Sequence, residues 1–423
     1  MVRWAESILV AGLIAVSACH GATITEGDAG SPGQGGGSGA GAAGRGGASG
    51  TAGTGGGASG TTGTGGATAG TAGRGGSSSG NGGSAGANAC SRCETPCRDG
   101  VCDLALVRST TTSVVNSSAT SVALNDGRLY FVVGPGVQVL SVPAGGGPEA
   151  ELYPHHDCSN CQLSLAVDGA DVFFAGQNVA GANEILAVPK SGGDGTARVV
   201  CPTPSAFPIA LTLEGDYVYY ARADTGIERC PKAGGATMHV ATAGSPQSPN
   251  VVIRTSSRPG AVLWGDRDTG VVTRVDTSMP SLPTSKVVGI MLNPEQTYPG
   301  GVCDVVDDGT QAYWVLCGWP YNVYVESGVV NSPTMRAVAL GGGDPNAAFD
   351  QYGSIGLDSG YIYFTEAGFL DRVPKGGGTV EARARLADGQ GNVLKALIVG
   401  FDDRYVYLAR AITGDAAIYR VVK

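Results

Sequence analysis

Short apolar segments recur between residues 104 and 423, and pairs of them flank a polar turn. The first pair reads Val122-Ala-Leu-Asn-Asp-Gly-Arg-Leu-Tyr-Phe131, with the Asn-Asp-Gly turn between two apolar runs. Asp and Gly suit a tight turn because they tolerate a positive φ or hydrogen-bond the local backbone. The pattern therefore predicts a series of β-hairpins rather than helices.

The same hairpin pattern returns at a nearly constant spacing. One apolar position recurs every 43 to 50 residues, at Tyr130, Phe173, Tyr219, Leu263, Tyr313, Tyr363 and Tyr407. This spacing is the length of a four-stranded propeller blade. A single unit cannot cover its own apolar faces, so the units must stack around an axis. We predict an all-β, seven-bladed β-propeller over residues 104–423, with six or eight blades as alternatives.

A third strand and a glycine turn follow most of these hairpins. Examples are Val188-Pro-Lys-Ser-Gly-Gly193, Cys230-Pro-Lys-Ala-Gly-Gly235 and Val373-Pro-Lys-Gly-Gly-Gly378. Pro cannot donate to a sheet ladder, so it ends the third strand, and the glycines lead into a fourth. The fourth unit, Ala261 to Val275, is degenerate and lacks this ending.

The last unit is incomplete. It finishes at Ile418-Tyr-Arg-Val-Val-Lys423, which is the pattern of a third strand with no fourth. The segment Leu104-Ala-Leu-Val-Arg108 precedes the first unit. We predict that it supplies the missing strand and closes the ring.

Trp264-Gly-Asp266 and the Arg372-Val-Pro-Lys375 ending carry a resemblance to known proteins. Residues 104–423 resemble the YWTD-type and TolB-like propellers of secreted and envelope proteins. The resemblance implies the fold and leaves the function open, because such propellers serve many roles.

The first 18 residues have the pattern of a signal peptide. The apolar run from Ile8 to Ala18 is too short to span a bilayer, which needs roughly 20 residues. Its end, Val16-Ser-Ala-Cys19, resembles the lipobox of bacterial lipoproteins, which implies a lipidated Cys19. The preceding region is weakly basic, with Arg3 offset by Glu6. The alternative is an ordinary cleaved signal with an incidental cysteine.

Residues 19–88 are predicted to form a low-complexity tether. They consist mostly of Gly, Ala, Ser and Thr, without the apolar periodicity that a packed core requires. A Gly82-x-Ser84-x-Gly86 match to the hydrolase elbow lies within this tether, where no strand precedes it, and we reject it.

Residues 89–103 form a Cys-rich junction that contains Cys90, Cys93, Cys97 and Cys102. We predict two disulfides here, with the pairing left open. Zinc ligation is the alternative, although no His lies among the four cysteines.

The cysteine count and the charge limit the compartment and the partners. Apart from Cys19, ten cysteines remain, an even number that is typical of an exported, disulfide-forming chain. We predict the pairs Cys303–Cys317, Cys158–Cys161 and Cys201–Cys230. The formal net charge of −9 argues against nucleic acid as a partner.

Residues suited to catalysis are few. The predicted propeller contains three histidines, of which His155 and His156 are adjacent in the connection between the first two units. Asp304, Asp307 and Asp308 are interpreted as turn residues, with a calcium site as the alternative. We therefore predict no metal and no cofactor.

One connection in the fifth unit is unusually long. We expect a loop from Val315 to Thr334, and an aromatic, amide-containing loop is a natural binding patch. Its candidate ligand-binding residues are Trp319, Tyr321, Asn322 and Tyr324. The topology of a propeller predicts that it shares one rim with His155–Cys161, Arg222–Asp224 and Arg267–Asp268. The alternative is a loop that only packs on its neighbours.

These observations favour a non-catalytic binding or scaffolding module, held at the outer membrane or cell surface by a lipid anchor. Its partner would be a protein, a peptide or a glycan. The alternative function is a propeller enzyme, either a metal-dependent hydrolase or a lyase, acting in the envelope or outside the cell.

Overall fold

The computed structural model describes residues 90–423 with several gaps. The gaps are 99–100, 111–121, 135, 157–163, 178–181, 193–195, 203–207, 223–225, 243–250, 267–269, 280–283, 289–300, 318–323, 330–334, 341–352, 367, 388–392 and 411–415. The predicted signal peptide, Cys19 and the tether lie outside the described residues.

Every element of the described residues is a β-strand, as predicted. Three strands precede the first hairpin unit: β1 (Cys97–Arg98), β2 (Val101–Cys102) and β3 (Ala105–Thr110). Sheet 1 contains β4 (Val122–Asn125), β5 (Arg128–Val133), β6 (Val137–Pro143) and β7 (Ala150–His156). Sheet 2 contains β8 (Leu165–Val167), β9 (Asp171–Gln177), β10 (Asn183–Pro189) and β11 (Arg198–Pro202).

The next three units also form four-stranded antiparallel sheets. Sheet 3 contains β12 (Pro208–Glu214), β13 (Tyr217–Arg222), β14 (Gly226–Pro231) and β15 (Met238–Ala241). Sheet 4 contains β16 (Val251–Thr255), β17 (Ala261–Asp266), β18 (Val272–Asp276) and β19 (Thr284–Val288). Sheet 5 contains β20 (Gly301–Asp307), β21 (Gln311–Cys317), β22 (Tyr324–Val329) and β23 (Met335–Leu340).

The last two sheets include strands from the Cys-rich end. Sheet 6 contains β24 (Ile355–Leu357), β25 (Tyr361–Glu366), β26 (Phe369–Pro374) and β27 (Glu381–Arg385), and β2 and β1 extend it to six strands. Sheet 7 contains β28 (Ala396–Phe401), β29 (Tyr405–Arg410) and β30 (Ala416–Val422), with β3 as its fourth strand. The described strands therefore form seven sheets, six of four strands and one of six.

The sheets are arranged in a cycle. The first strand of each sheet contacts the first strand of the next, and β28 of sheet 7 contacts β4 of sheet 1. The ring is completed as expected, because β3 pairs antiparallel with β30, with Leu106 opposite Tyr419. This arrangement defines a β-propeller.

Apolar side chains fill the seams between neighbouring sheets. Tyr130 of sheet 1 packs with Leu165 and Phe174 of sheet 2, and Tyr363 of sheet 6 packs with Val406 of sheet 7. The recurring position that set the repeat length is buried in every sheet. Burial of each such side chain stabilises the fold by roughly 1.5–3 kcal/mol relative to exposure.

The structure corrects three sequence expectations. The described parts of the expected loop from Val315 to Thr334 are strand, because β21 runs to Cys317 and β22 pairs with it and places Tyr324 opposite Leu316. His155 and His156 belong to β7 rather than to a connection, since β7 extends along β6 as far as His156 opposite Val137. In both places continued backbone pairing satisfies groups that a loop would leave to water.

The third correction concerns the position of Cys303, which was expected to face Cys317 across the paired strands; the disulfide between these two cysteines stays a prediction. Cys303 is disulfide-bonded. It does not lie directly opposite Cys317, whose backbone partner is Gly301, because a bulge falls between Val302 and Asp304. An extra residue in one strand shifts every later pair by one position.

Candidate functional site

The propeller has two unlike faces. In each sheet, the turns between the first and second strands and between the third and fourth strands emerge on one side, which we call the short-turn face. The connections between second and third strands and between successive sheets emerge on the other side, the long-connection face. First-to-second-strand turns are as short as 126–127, whereas connections between sheets reach the length of 341–354.

The aspartate that opens a first-to-second-strand turn caps that turn with its own side chain. Oδ1 of Asp358 accepts hydrogen bonds from the backbone N–H groups of Gly360 and Tyr361 at 2.9 and 2.8 Å. Its Oδ2 accepts a bond from the Tyr363 hydroxyl at 3.0 Å. The same arrangement recurs at Asp308 and Asp402. The Asp–Tyr repetition of the sequence thus stabilises turns.

The lysine of the Pro-Lys-x-Gly-Gly ending connects neighbouring sheets. Lys232 Nζ of sheet 3 lies 3.2 Å from Asp168 Oδ2 of sheet 2. Lys375 Nζ of sheet 6 lies 3.7 Å from Asp308 Oδ2 of sheet 5. Each lysine therefore neutralises an aspartate of the preceding sheet. On the short-turn face, these charged side chains form ion pairs with one another.

These contacts keep the turn carboxylates ionised. Burial acts to raise the pKa of Asp168, but bonds from the N–H groups of Asp171 and Ala170, together with the nearby Lys232, outweigh it and lower the pKa. The pKa values of Asp308, Asp358 and Asp402 are lowered in the same way. A carboxylate held in this state is a poor general acid at neutral pH.

A buried polar network joins the first strands of sheets 4 to 7. Arg254 Nε and Nη2 donate to Asp304 Oδ1 and Oδ2 at 3.0 and 2.9 Å. The Ser354 hydroxyl and the Ile355 N–H donate to Asp304 Oδ2 at 2.9 and 3.2 Å. Ser354 Oγ in turn accepts from the Ile398 N–H at 3.0 Å. One carboxylate thereby connects three sheets directly and a fourth through Ser354.

The charges of this network are firmly held. The Asp304 side chain is 4% exposed and that of Arg254 is 25% exposed. Burial acts to lower the pKa of Arg254, but the charge and hydrogen bonds of Asp304 outweigh it and raise the pKa. The sequence did not indicate this pair, because its members lie 50 residues apart on different sheets.

The acidic cluster considered as a calcium site is divided among separate partners. Asp304 binds Arg254, and Asp308 caps its own turn. Asp307 accepts bonds from the hydroxyls of Ser256 and Ser257 at 2.5 and 2.9 Å. Asp304 and Asp307 lie in β20 rather than in a turn, and only Asp308 is the turn residue that the sequence predicted.

Only part of the predicted rim lies among the described residues. Trp319, Tyr321, Asn322, Asp224, Arg267, Asp268 and the Cys158–Cys161 segment lie outside the described residues. Tyr324 begins β22 and His156 ends β7, so both strand ends lie on the long-connection face. The His156 ring stacks on Tyr153, with ring centroids 5.7 Å apart.

Arg222, another rim residue, contacts a buried carboxylate that the sequence analysis missed. Its Nη1 donates to Glu228 Oε1 at 2.9 Å, and both side chains are 9% exposed. The Tyr220 hydroxyl donates to Glu228 Oε2 at 2.8 Å. Burial raises the pKa of Tyr220, the bond to Thr237 opposes this, and the charge of Glu228 adds to it. Tyr220 is therefore a protonated donor at neutral pH.

Disulfides stabilise the junction and one seam. Within the junction Cys90 joins Cys97, and Cys93 joins Cys102. Cys201 of sheet 2 is bonded to Cys230 of sheet 3, the pair expected from the sequence. This last bridge links two neighbouring sheets covalently.

The Cys-rich junction docks on the propeller. Cys102 pairs with Ala384 of sheet 6 in a parallel bridge. Glu94 accepts a hydrogen bond from the Tyr405 hydroxyl at 2.5 Å and lies 2.6 Å from Arg404 Nη2. Arg404 and Tyr405 belong to a first-to-second-strand turn of sheet 7. The junction therefore contacts the propeller at its short-turn face.

Within the described ranges, no group of three or more His, Cys, Asp or Glu side chains is arranged to hold a metal ion. No helix in this part of the chain has the length and apolar character needed to cross a membrane.

No known protein family matches this chain, and no curated protein matches it either. Several solved structures are similar in fold. The WD40 β-propeller domain of Doa1 is 11% identical, with 75% of this chain and 96% of that chain covered and a TM-score of 0.48. The designed protein Ika8 is 12% identical, with 75% and 99% covered and a TM-score of 0.47.

TolB from Acinetobacter baumannii is also similar. It is 10% identical, with 69% of this chain and 63% of that chain covered and a TM-score of 0.41. At these identities and TM-scores the matches carry no information about function. The assignment of the fold rests on the strand pairing described above.

Proposed function

We propose that this chain is a non-catalytic binding or scaffolding module, built as a seven-bladed β-propeller and displayed from a bacterial membrane. The observation that carries the proposal is the contrast between the two faces. Charged side chains of the short-turn face bind one another, as in Lys232–Asp168. The opposite face bears the longer connections, and such connections on a rigid scaffold commonly carry binding residues.

The proposed ligand surface lies on the long-connection face around Trp319, Tyr321 and Tyr324. Aromatic side chains offer large contact areas at a low cost in conformational entropy, which suits stacking on a sugar or a peptide. Arg222, another residue of the predicted rim, is already paired with Glu228, so a small charged metabolite has less to bind.

The test is to replace Trp319 and Tyr321 with Ala and to measure partner capture and thermal stability together. We expect capture from an envelope extract to fall while the melting temperature stays within a few degrees of the wild type. Met279→Ala is the control, since Met279 is 50% exposed and follows β18 on the short-turn face. Lost stability with unchanged capture would show that the aromatic residues only pack.

The proposed location is the exterior of the cell, where a lipid on Cys19 anchors the protein to the membrane. Disulfides are typical of an oxidising compartment, and this chain has at least one that joins two sheets. Growth with an alkyne-tagged fatty acid is expected to label the wild type and not Cys19→Ser. Equal labelling of both proteins would contradict the anchor.

The docked junction contacts the short-turn face through Glu94, which leaves the long-connection face to a partner. Glu94→Ala is expected to expose the junction to limited proteolysis while the circular dichroism of the propeller stays unchanged. Unaltered cleavage would contradict the docking contact.

A further inference from the structure

Arg383 is a buried arginine without an ion-pair partner among the described residues. It lies in β27 at a bulge, where Asp371 pairs with Ala382 and Leu370 pairs with Ala384. The residue is 8% exposed, and its Nε has no hydrogen-bond partner. No ion pair between described residues includes it. A buried guanidinium without an anion is strongly unfavourable, so its environment calls for a negative charge.

The carboxylate nearest along the strand is already engaged. Glu381 lies opposite Arg372 on β26. Arg372 Nε and Nη2 both donate to Glu381 Oε2, at 2.9 and 2.7 Å. Asp371 pairs with Phe364 and Ala382, and alternation along β26 directs it to the other side of the sheet from Arg372. Glu381 therefore binds Arg372 directly, and its charge raises the pKa of Arg383 by less than burial and the neighbouring arginines lower it.

The Cys-rich junction brings a third arginine to the same place. Arg92 precedes Cys93, which is disulfide-bonded to Cys102. Cys102 pairs with Ala384, the neighbour of Arg383. Burial lowers the pKa of Arg383, and the positive charges of Arg372 and Arg92 lower it further. Among the described residues, the three arginines have one adjacent carboxylate, Glu381, which leaves an excess of two positive charges.

We propose that Arg383, Arg92 and Arg372 form a binding site for a phosphate or sulfate group, where the junction meets sheet 6. Guanidinium groups suit this chemistry because their planar donors bind oxyanion oxygens in pairs. The anion supplies a counter-ion to Arg383 and stabilises the contact between the junction and the propeller. Its source is either free inorganic phosphate or the phosphate of a lipid headgroup.

The test is calorimetric titration of the purified full chain with inorganic phosphate at constant ionic strength. We expect one site, with affinity at least about tenfold weaker in Arg92→Met, because one charge-assisted contact is lost. Arg92 is exposed, so this variant is expected to fold normally. Arg383→Met is expected to abolish binding. Arg198→Met is the control, since Arg198 pairs with Asp171 in sheet 2.

Two further measurements keep the proposal open to refutation. If Arg383→Met does not fold, Arg383→Lys is used, which retains the charge and is expected to bind phosphate more weakly than the wild type. Vesicles that contain phosphatidylglycerol distinguish the two sources of phosphate. If the protein binds these vesicles through Arg383, the ligand is a lipid headgroup. If it does not bind them, the ligand is free phosphate. Absence of phosphate binding by the wild type, or equal affinity in Arg92→Met and the control, would overturn the proposal.

Discussion

The seam between sheets 2 and 3 and the seam between sheets 4 and 5 join similar sheets with different chemistry. The first uses the repeated lysine: Lys232 and Asp168 pair with side chains 23% and 25% exposed. The second has no Pro-Lys ending to use, because β22 of sheet 5 is followed by Val330-Asn-Ser-Pro333. There Arg254 pairs with Asp304, whose side chain is 4% exposed.

The comparison shows that a seam without the repeat lysine is joined by a different ion pair, Arg254–Asp304, which lies on the first strands of its two sheets. The partly exposed Lys232–Asp168 pair is expected to tolerate substitution, because water screens both charges. A buried pair requires that every polar group find a partner, and Asp304 has Arg254, Ser354 and two backbone N–H groups. The seam between sheets 4 and 5 should therefore be far more sensitive to substitution than the seam between sheets 2 and 3.

The largest effect is expected from Asp304→Ala. It leaves Arg254, whose side chain is 25% exposed, without its carboxylate, and it leaves the buried Ser354 hydroxyl and Ile355 N–H without their acceptor. Breaking a pair with a buried member in this way is expected to cost about 3–5 kcal/mol of folding free energy. Chemical denaturation of the purified protein measures this loss. Asp276→Ala is the matched control, since Asp276 accepts bonds only from Ser278 in its own exposed turn.

The double variant Asp304→Ala with Arg254→Met sharpens that prediction. If the uncompensated charge is the main cost, the double variant will be more stable than Asp304→Ala alone. A double variant at least as unstable as the single one would assign the loss to the hydrogen bonds of Ser354 and Ile355 instead.

Loss of the Cys201–Cys230 disulfide, which joins sheets 2 and 3, is expected to have the second largest effect on stability. Replacing Cys201 and Cys230 with Ser removes a bond across 29 residues, which a chain-entropy estimate values at about 3–4 kcal/mol. The same change at Cys90 and Cys97, separated by 7 residues, is expected to cost about 2 kcal/mol. Melting temperatures under non-reducing conditions compare the two variants, and an equal loss in both would contradict the ranking.

The third effect is a loss of stability in acid, which we expect from the aspartates of the short-turn face. The native pKa values of Asp168, Asp308, Asp358 and Asp402 are lowered relative to the unfolded chain. Their stabilisation is therefore complete above the unfolded value of about 3.9 and is lost as the pH falls through the native values.

Asp168→Asn tests this pH dependence. The amide keeps an oxygen for the turn but does not titrate, so stability should fall less steeply below about pH 4 than in the wild type. Asp403→Asn, in an exposed turn position, is the control. Identical acid profiles for Asp168→Asn and the wild type would contradict the assignment.

The smallest effect is expected from Lys232→Met. Its pair with Asp168 is partly exposed, so the loss should stay within about 1 kcal/mol and should shrink further in 1 M salt. Denaturation at low and high salt provides the comparison with Asp304→Ala. A loss as large as that of Asp304→Ala would remove the distinction between the two seams.

Much of the fold was accessible from local pattern. The hairpins, the recurring buried position and the closing strand near Leu106 follow from apolar spacing and turn residues within a few positions of each other. The predicted loop at Tyr324 failed because Tyr324 to Val329 pairs with β21 as a strand, although Glu326, Ser327 and Gly328 interrupt its apolar residues. The proposed ligand residues Trp319 and Tyr321 stay predictions.

The sequence by itself determined the strands, the repeat length and the turn aspartates, because each depends on neighbours in the chain. Only the tertiary structure decided which side chains meet across seams. Asp304 finds Arg254 and Ser354, and Arg383 comes to lie beside the Cys93–Cys102 bridge, through contacts between residues about 50 or more positions apart. Such contacts depend on the ring of sheets as a whole, and no local rule of spacing encodes them.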